Sequence, residues 1–283
     1  MTHILSGYSL ASLHEISDTA LAEISLILEA RRNFSMSVYK DKCMKRRIAI
    51  RMRSCQCSDT DEYSELLRQS EQELDQLKKT LMIHVSHFFR NPSMFEKLQA
   101  DILPSLFKKA ALDREKLRFI SLGCAGGEES YSLGIILREN HSRHLLHTPV
   151  EICAYDIDND ILQAAVRAEY NDDRLKELPD FLKERYFAAN GQRMQLTDDI
   201  RGMVSFHQRN IMDVETFESC QLVLCRNTLI YFTRRDQEKI LLGISNIMQT
   251  GGILVLGKSE TLIGEARRFF ITVCPRERIY RRL

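Results

Sequence analysis

Residues 117–158, LRFISLGCAGGEESYSLGIILRENHSRHLLHTPVEICAYDID, constrain the fold more than any other stretch of this chain. An apolar run enters a glycine-bearing turn, an amphipathic segment follows, and a second apolar run ends in Asp156 and Asp158. Strand, loop, helix and strand in that order form the repeating unit of a doubly wound α/β sheet. Such a unit sets a tight backbone turn beside an acidic strand end, a pairing suited to a nucleoside-containing ligand.

The glycines and the acid have separate tasks. Gly123, Gly126 and Gly127 lack a Cβ, so the chain can bend sharply and a ligand can approach the main chain. Asp156 falls at the carboxyl end of the second strand, where an ionised acid accepts hydrogen bonds from both ribose hydroxyls. The spacing is not G-x-G-x-x-G, and Glu128 and Glu129 stand where a pyrophosphate would sit. Like charges there repel a phosphate but tolerate an ammonium or sulfonium group. S-adenosyl-L-methionine, with a ribose and no phosphate, meets both conditions. The competing reading is that the two glutamates only complement the amino end of a helix. Asp156 at its distance favours the ligand.

Bulk properties set the remaining bounds. A chain of 283 residues predicts one large or two small domains, and 44% apolar with 28% charged residues predicts a globular core. No run is long enough to span a bilayer, and the first residues lack a basic segment ahead of an apolar one, so a cytoplasmic location is the default. The eight cysteines form no C-x-x-C pair and read as core thiols. Cys55-x-Cys57 lacks a partner pair, and His141, His144 and His147 are expected in an exposed loop, so no metal site is expected. Residues 31–53 carry nine Lys/Arg and one Asp, a local +8 in a chain of net charge +1. That asymmetry suggests an acidic partner docking on the amino-terminal part.

The periodicity predicts helices over residues 10–87, with apolar positions such as Leu21, Ile24 and Leu28, then Met44, Ile48 and Met52. Asn91 and Pro92 read as the cap and first position of a further helix, disturbed at Pro104. A domain boundary is expected near residues 85–92. Strands are expected at 117–123, 150–156 and 221–227, with helices at 128–139 and 159–170. A charged helical insert follows, and then a hairpin near Met194–Leu196 and Met203–His207. Thr233 is placed as the cap of a helix ended by Gly251-Gly252, before a strand GILVLG and a terminal hairpin.

With these words in order, the chain resembles the CheR-type chemotaxis receptor methyltransferases, which transfer a methyl group from S-adenosylmethionine to receptor glutamates. The matching words are FFR at Phe88–Arg90, GEESYS at Gly127–Ser132, DID at Asp156–Asp158, QRNI at Gln208–Ile211, CRNTLIYF at Cys225–Phe232 and GKSE at Gly257–Glu260. The resemblance implies a Rossmann-like class I methyltransferase sheet over residues 89–283, a small β-hairpin insertion at about 171–207, and an all-α receptor-docking domain over 1–88. It further implies cofactor contacts at His84, Ser86, Arg90, Glu129, Asp156, Asn210, Ile211, Arg226 and Asn227, with Arg90 and Tyr231 near the transferred methyl. His84 and Ser86 replace the family's usual Asn and Thr before FFR, and Ser130 replaces its Pro in GEEPYS.

The implied reaction needs no general base, because a glutamate carboxylate is already ionised near neutral pH. Arg90 could steer the incoming carboxylate or fix the cofactor. The basic residues Lys42, Arg46, Arg47, Arg51 and Arg53 are the expected contacts for the glutamate-rich methylation region of a chemoreceptor. A solvated helix face is the alternative. No nucleic-acid partner is expected: the strand end reads Arg226-Asn227-Thr228-Leu229, without the Asn-Pro-Pro-aromatic word of the amino-methylating DNA enzymes. The chain is expected to act as a monomer. A rival class is a non-catalytic cofactor-binding scaffold, supported by His84 alone.

Overall fold

The computed structural model describes residues 16–82 and 85–283. His84 and the expected helical start at 10–15 lie outside them. The chain divides into two compact units, Met1–Ile83 and His84–Leu283. The division precedes the expected boundary because Phe88 and Phe89 are core residues of the second unit.

The described residues of the first unit form four helices, α1 Asp18–Arg32, α2 Asp41–Ser54, α3 Thr60–Gln69 and α4 Glu71–Leu81. Caps set their ends. The Ser17 hydroxyl accepts from the Ala20 N–H, Asp59 accepts from the Asp61 and Glu62 N–H groups, and Ser70 both ends α3 and accepts from the Glu73 N–H. The apolar positions read from the sequence, including Ile24, Leu28, Met44, Ile48 and Met52, form one buried cluster with Tyr63, Leu67, Leu74 and Leu77. Arg51 on α2 enters this core. Its Nε donates to Glu73 Oε1 at 2.9 Å, its Nη2 donates to Glu73 Oε2, and the Tyr63 hydroxyl donates to Glu73 Oε1 at 2.8 Å. Burial pushes the neighbouring Cys55 thiol up to about 11, so it stays protonated and unreactive at neutral pH.

The described residues of the second unit form ten strands: β1 Leu117–Leu122, β2 Val150–Asp156, β3 Glu169–Tyr170, β4 Phe187–Asn190, β5 Arg193–Leu196, β6 Val204–Gln208, β7 Cys220–Cys225, β8 Met248–Leu256, β9 Phe270–Cys274 and β10 Ile279–Arg282. Seven build one sheet in the order β6-β2-β1-β7-β8-β10-β9. The first five run parallel, and the terminal hairpin adds β10 and β9 antiparallel. β7 is buried along its whole length and β1 nearly so, which is why they read as near-continuous apolar runs. Helices Glu128–Asn140, Asn159–Arg167 and Arg234–Ile247 make the crossovers. This is the Rossmann-like α/β sheet expected from the sequence, and no helix among the described residues is long and apolar enough to cross a membrane.

Several local expectations are corrected. The helix expected to reach residue 170 stops at Arg167, because Ala168 takes a left-handed φ of 54° and Glu169–Tyr170 pairs as a strand. The hairpin is β4–β5, turning at Gly191, and β3 joins it as a third strand. Residues 204–208 instead form the edge of the large sheet. Gly251 and Gly252 lie inside β8 and do not end the preceding helix, whose cap by Thr233 is as expected. Around Pro104, helix Pro92–Lys97 passes through a π turn at Leu98–Ile102 before helix Leu103–Asp113, which accommodates the missing proline N–H. His141 is buried rather than in an exposed loop, and it stacks with His144 on Phe107. No group of three or more His, Cys, Asp or Glu suited to a metal exists among the described residues.

Candidate functional site

The strand order reverses between β1 and β7, and the sequence-predicted residues gather at the carboxyl ends around that point. The turn after β1 has φ of 68° at Gly123, 49° at Ala125 and 83° at Gly127. A Cβ on Gly123 would sit 2.5 Å from Thr228 Oγ1, so glycine there lets the loops after β1 and β7 touch. Asp156 ends β2. Its Oδ2 accepts from the Ala125 N–H at 2.9 Å and its Oδ1 from the Asp158 N–H at 3.1 Å. The carboxylate is thereby braced against the glycine turn, and its carbonyl accepts from the Arg209 N–H at 3.0 Å. Asn210 and Ile211 follow directly, with Asn210 Oδ1 capping a short 3-10 turn through the Met212 N–H.

Each glutamate of the turn is matched by an arginine. Arg174 Nη1 donates to Glu128 Oε1 at 3.0 Å, and Arg226 Nη1 donates to Glu129 Oε2 at 3.0 Å. Ser121 donates to Glu129 Oε1 at 2.9 Å. The excess negative charge expected from sequence is therefore offset locally, and like-charge repulsion of a phosphate loses its force as an argument. Arg226, expected as a cofactor contact, is also held within the protein. Its side chain is only 3% exposed, and its Nη2 donates to the Arg90 carbonyl and to Asn91 Oδ1, both at 2.7 Å.

The segment bearing Arg90 is held from several sides. The Phe88 N–H donates to the Arg174 carbonyl at 2.8 Å, the Phe89 N–H to the Ser132 hydroxyl at 2.9 Å, and the Asn91 N–H to Glu177 Oε2 at 3.0 Å. Arg174 Nη1 donates to the Ser86 carbonyl, and Arg90 Nη1 donates to the Val85 carbonyl at 2.9 Å. Phe89 and Asn91 adopt φ of 53° and 64°, each costing about 1–3 kcal/mol for a residue with a side chain. Asn91 is thus no side-chain helix cap; its oxygen serves Arg226 instead. Strain held in place by this many partners marks a preorganised segment.

The loop after β7 carries Asn227, with φ of 58°, and Tyr231, which ends a 3-10 turn and is partly exposed. One buried carboxylate shapes this loop. Glu260 Oε2 accepts from the Gly257 N–H at 2.6 Å and the Asn227 N–H at 2.9 Å, and Oε1 accepts from the Ile230 N–H at 3.3 Å. Burial pushes its carboxyl up, and the backbone donors only partly oppose that. The GKSE word contained this residue, yet no spacing rule connects it to a loop 30 positions away. Sequence reasoning likewise missed Ser121, Arg174 and Glu177. Buried Cys124 and Cys225 lie at the same strand ends, and burial raises both thiols well above the usual range, so neither is a nucleophilic thiolate.

In the first unit the five basic residues expected to dock a partner separate. Lys42, Arg46 and Arg53 are exposed on α2 beside exposed Ile50. Arg47 donates to the Thr80 carbonyl at 2.5 Å, and Arg51 is turned inward to Glu73, so its place is the core and not the docking face. Arg31 and Arg32 pair with Glu71, Arg32 also with Asp75, and Lys45 with Asp18, which offsets much of the +8.

Both units have counterparts among known proteins. Residues 84–277 match the family described as CheR methyltransferase, SAM binding domain, and residues 19–82 match CheR methyltransferase, all-alpha domain. A chemotaxis protein methyltransferase of Listeria innocua is 30% identical over 232 residues, covering 82% of this chain and 86% of the relative. Chemotaxis protein methyltransferase 2 of Vibrio cholerae is 33% identical over 198 residues, covering 68% and 67%. A 104.1 kDa protein of Rhodobacter capsulatus is 32% identical over 264 residues, and there the match spans 93% of this chain but only 28% of the relative. The chain belongs to the CheR methyltransferase family, with S-adenosylmethionine as the cofactor of its larger domain.

Proposed function

We propose that this protein transfers the methyl group of S-adenosylmethionine to glutamate side chains of chemoreceptors, giving methyl esters. The observation that carries the reading is the tie between the two halves of the site. Arg226 joins Glu129, on the cofactor side, to the strained turn bearing Arg90. The residues fit the cofactor. An aspartate braced by two backbone N–H groups at the end of β2 suits a ribose, and a glycine turn admits the adenosyl group close to the main chain. Bound there, the cofactor supplies an electrophilic methyl on a sulfonium.

The protein's own task is alignment. Asp156 and the segment Asn210–Ile211 hold the adenosyl moiety, Glu129 with Ser86 and His84 holds the methionine end, and Asn227 closes the pocket. Arg90 and Tyr231 flank the transferred methyl and guide the glutamate carboxylate onto it. Orientation of this kind supplies roughly 7–11 kcal/mol. Incubating the protein with methyl-labelled cofactor and chemoreceptor-bearing membranes is expected to yield base-labile methyl groups. Arg90→Ala should lower that rate about a hundredfold at unchanged melting temperature. Cofactor binding without methyl incorporation would instead support the scaffold reading.

Docking falls to the first unit, through Lys42, Arg46 and Arg53. Reversing these three charges to Glu should weaken binding to a receptor methylation fragment about tenfold or more at low salt, and the difference should shrink as salt rises. Equal affinities for the variant and the parent at 20 mM salt would remove α2 from the interface. The receptor is the partner; its cytoplasmic methylation region sets this enzyme's cytoplasmic location, and the enzyme acts as a monomer.

A further inference from the structure

We propose that Arg226 is a positioning residue for methyl transfer, fixing the cofactor-side glutamate and the Arg90 turn at once without touching either reactant. The inference rests on the methyltransferase reading of the site and adds to it a part that the family words do not assign. Arg226 leaves the end of β7 and is enclosed, with its guanidinium 5.6 Å from the ring centre of Phe95. One terminal nitrogen donates to Glu129 Oε2, and the other donates to the Arg90 carbonyl and to Asn91 Oδ1. Three acceptors from two chain segments therefore converge on one rigid fork. Ser132 and Arg174 join the same helix and turn at Phe89 and Ser86, whereas Arg226 joins the Glu129 carboxylate to the Arg90–Asn91 end. Ser121 bonds Glu129, whereas Ser132, Glu177 and the Arg174 carbonyl bond the turn.

The turn needs such a clamp. Phe89 and Asn91 both lie in the left-handed region, flanking Arg90, the residue that the proposed function sets beside the transferred methyl. Asn91 tolerates that conformation better than most residues, and its side-chain oxygen faces the guanidinium. Lysine carries the same charge but cannot present two nitrogens in a fixed plane. Arg226→Lys should keep the ion pair with Glu129 and release the turn. The expected signature is a split: kcat falls about thirty- to a hundredfold while KM for S-adenosylmethionine moves less than about threefold. A residue serving only general stability would lower activity in step with the folded fraction and leave no such split.

A second readout needs no methyl acceptor. Amide hydrogen exchange at residues 88–91 should accelerate about tenfold or more in Arg226→Lys, while amides of β1 and β2 keep their parental rates. Asn91→Ala removes one acceptor from the turn side only. The double variant Asn91→Ala/Arg226→Lys should show less than the sum of the two single effects on exchange at 88–91, since both act through one contact. Strict additivity would overturn the proposal. So would unchanged exchange in Arg226→Lys, or a rise in KM for the cofactor that accounts for the whole loss, which would make Arg226 a direct ligand. Because exchange is measured on the protein alone, a parental enzyme that fails to methylate receptors would sink the receptor reading, while accelerated exchange in Arg226→Lys would still show the clamp on residues 88–91.

Discussion

Asp156→Asn is expected to fold and to lose about 3 kcal/mol of S-adenosylmethionine binding, on the order of a hundredfold in Kd by calorimetry. The carboxylate has two kinds of work at the end of β2. Oδ2 accepts from the Ala125 N–H and Oδ1 from the Asp158 N–H, which fixes the carboxylate at the strand end in the orientation a ribose would meet. Asparagine retains one acceptor and replaces the other with an NH2 group, which then faces a backbone N–H donor. It also discards the charge that strengthens hydrogen bonds to the ribose. The loss should fall on cofactor affinity, with kcat at saturating cofactor changed much less, since the proposed function puts Asp156 at the ribose and not at the methyl. An unchanged Kd would take Asp156 out of the pocket, and with it the reason for the glycine turn.

What the sequence could reveal was set by range. The β1–turn–helix–β2 unit was legible because its apolar runs, glycines and terminal acid are contiguous, and each imposes a local conformation. Thr233 was legible as a cap for the same reason. β3 was not, because two residues carry no periodicity and form a strand only by pairing with Met194 and Gln195. Gly251-Gly252 misled because paired glycines also occur within a strand, and here the helix ends earlier, at Ile247. Charge was the least legible property. The pair of acids in GEES read as an uncompensated negative site, yet its arginine partners lie 46 and 97 residues away. The basic run at 31–53 read as a docking surface, yet four of its nine cations pair with acids of α1 and α4. A single sequence records where charges are and leaves out which of them meet.

The arginines of α2 should separate by experiment as they do in space. Glu73→Ala is expected to destabilise the first unit by about 3 kcal/mol, because it strands the Arg51 guanidinium beside a core with no counter-charge. Arg53→Glu, on the exposed face, should leave stability within about 0.5 kcal/mol and act on receptor affinity alone. Replacing both partners, as Arg51→Met/Glu73→Leu, should recover most of the loss, since apolar packing commonly equals or exceeds a buried ion pair. The pair also predicts a pH dependence. Burial raises the Glu73 carboxyl, but hydrogen bonds from Arg51 and Tyr63 together outweigh it and leave the group below its ordinary value of 4.5. A carboxyl lowered on folding contributes stability that is full above its unfolded value and is lost as pH falls through its folded value. Thermal unfolding of the full chain, followed by a probe in the first unit, should therefore show acid destabilisation beginning below about pH 4.5. The Arg51→Met/Glu73→Leu variant should show a flatter acid limb. If both proteins lose stability along the same acid curve, the Glu73 ion pair is not what holds these helices together at neutral pH.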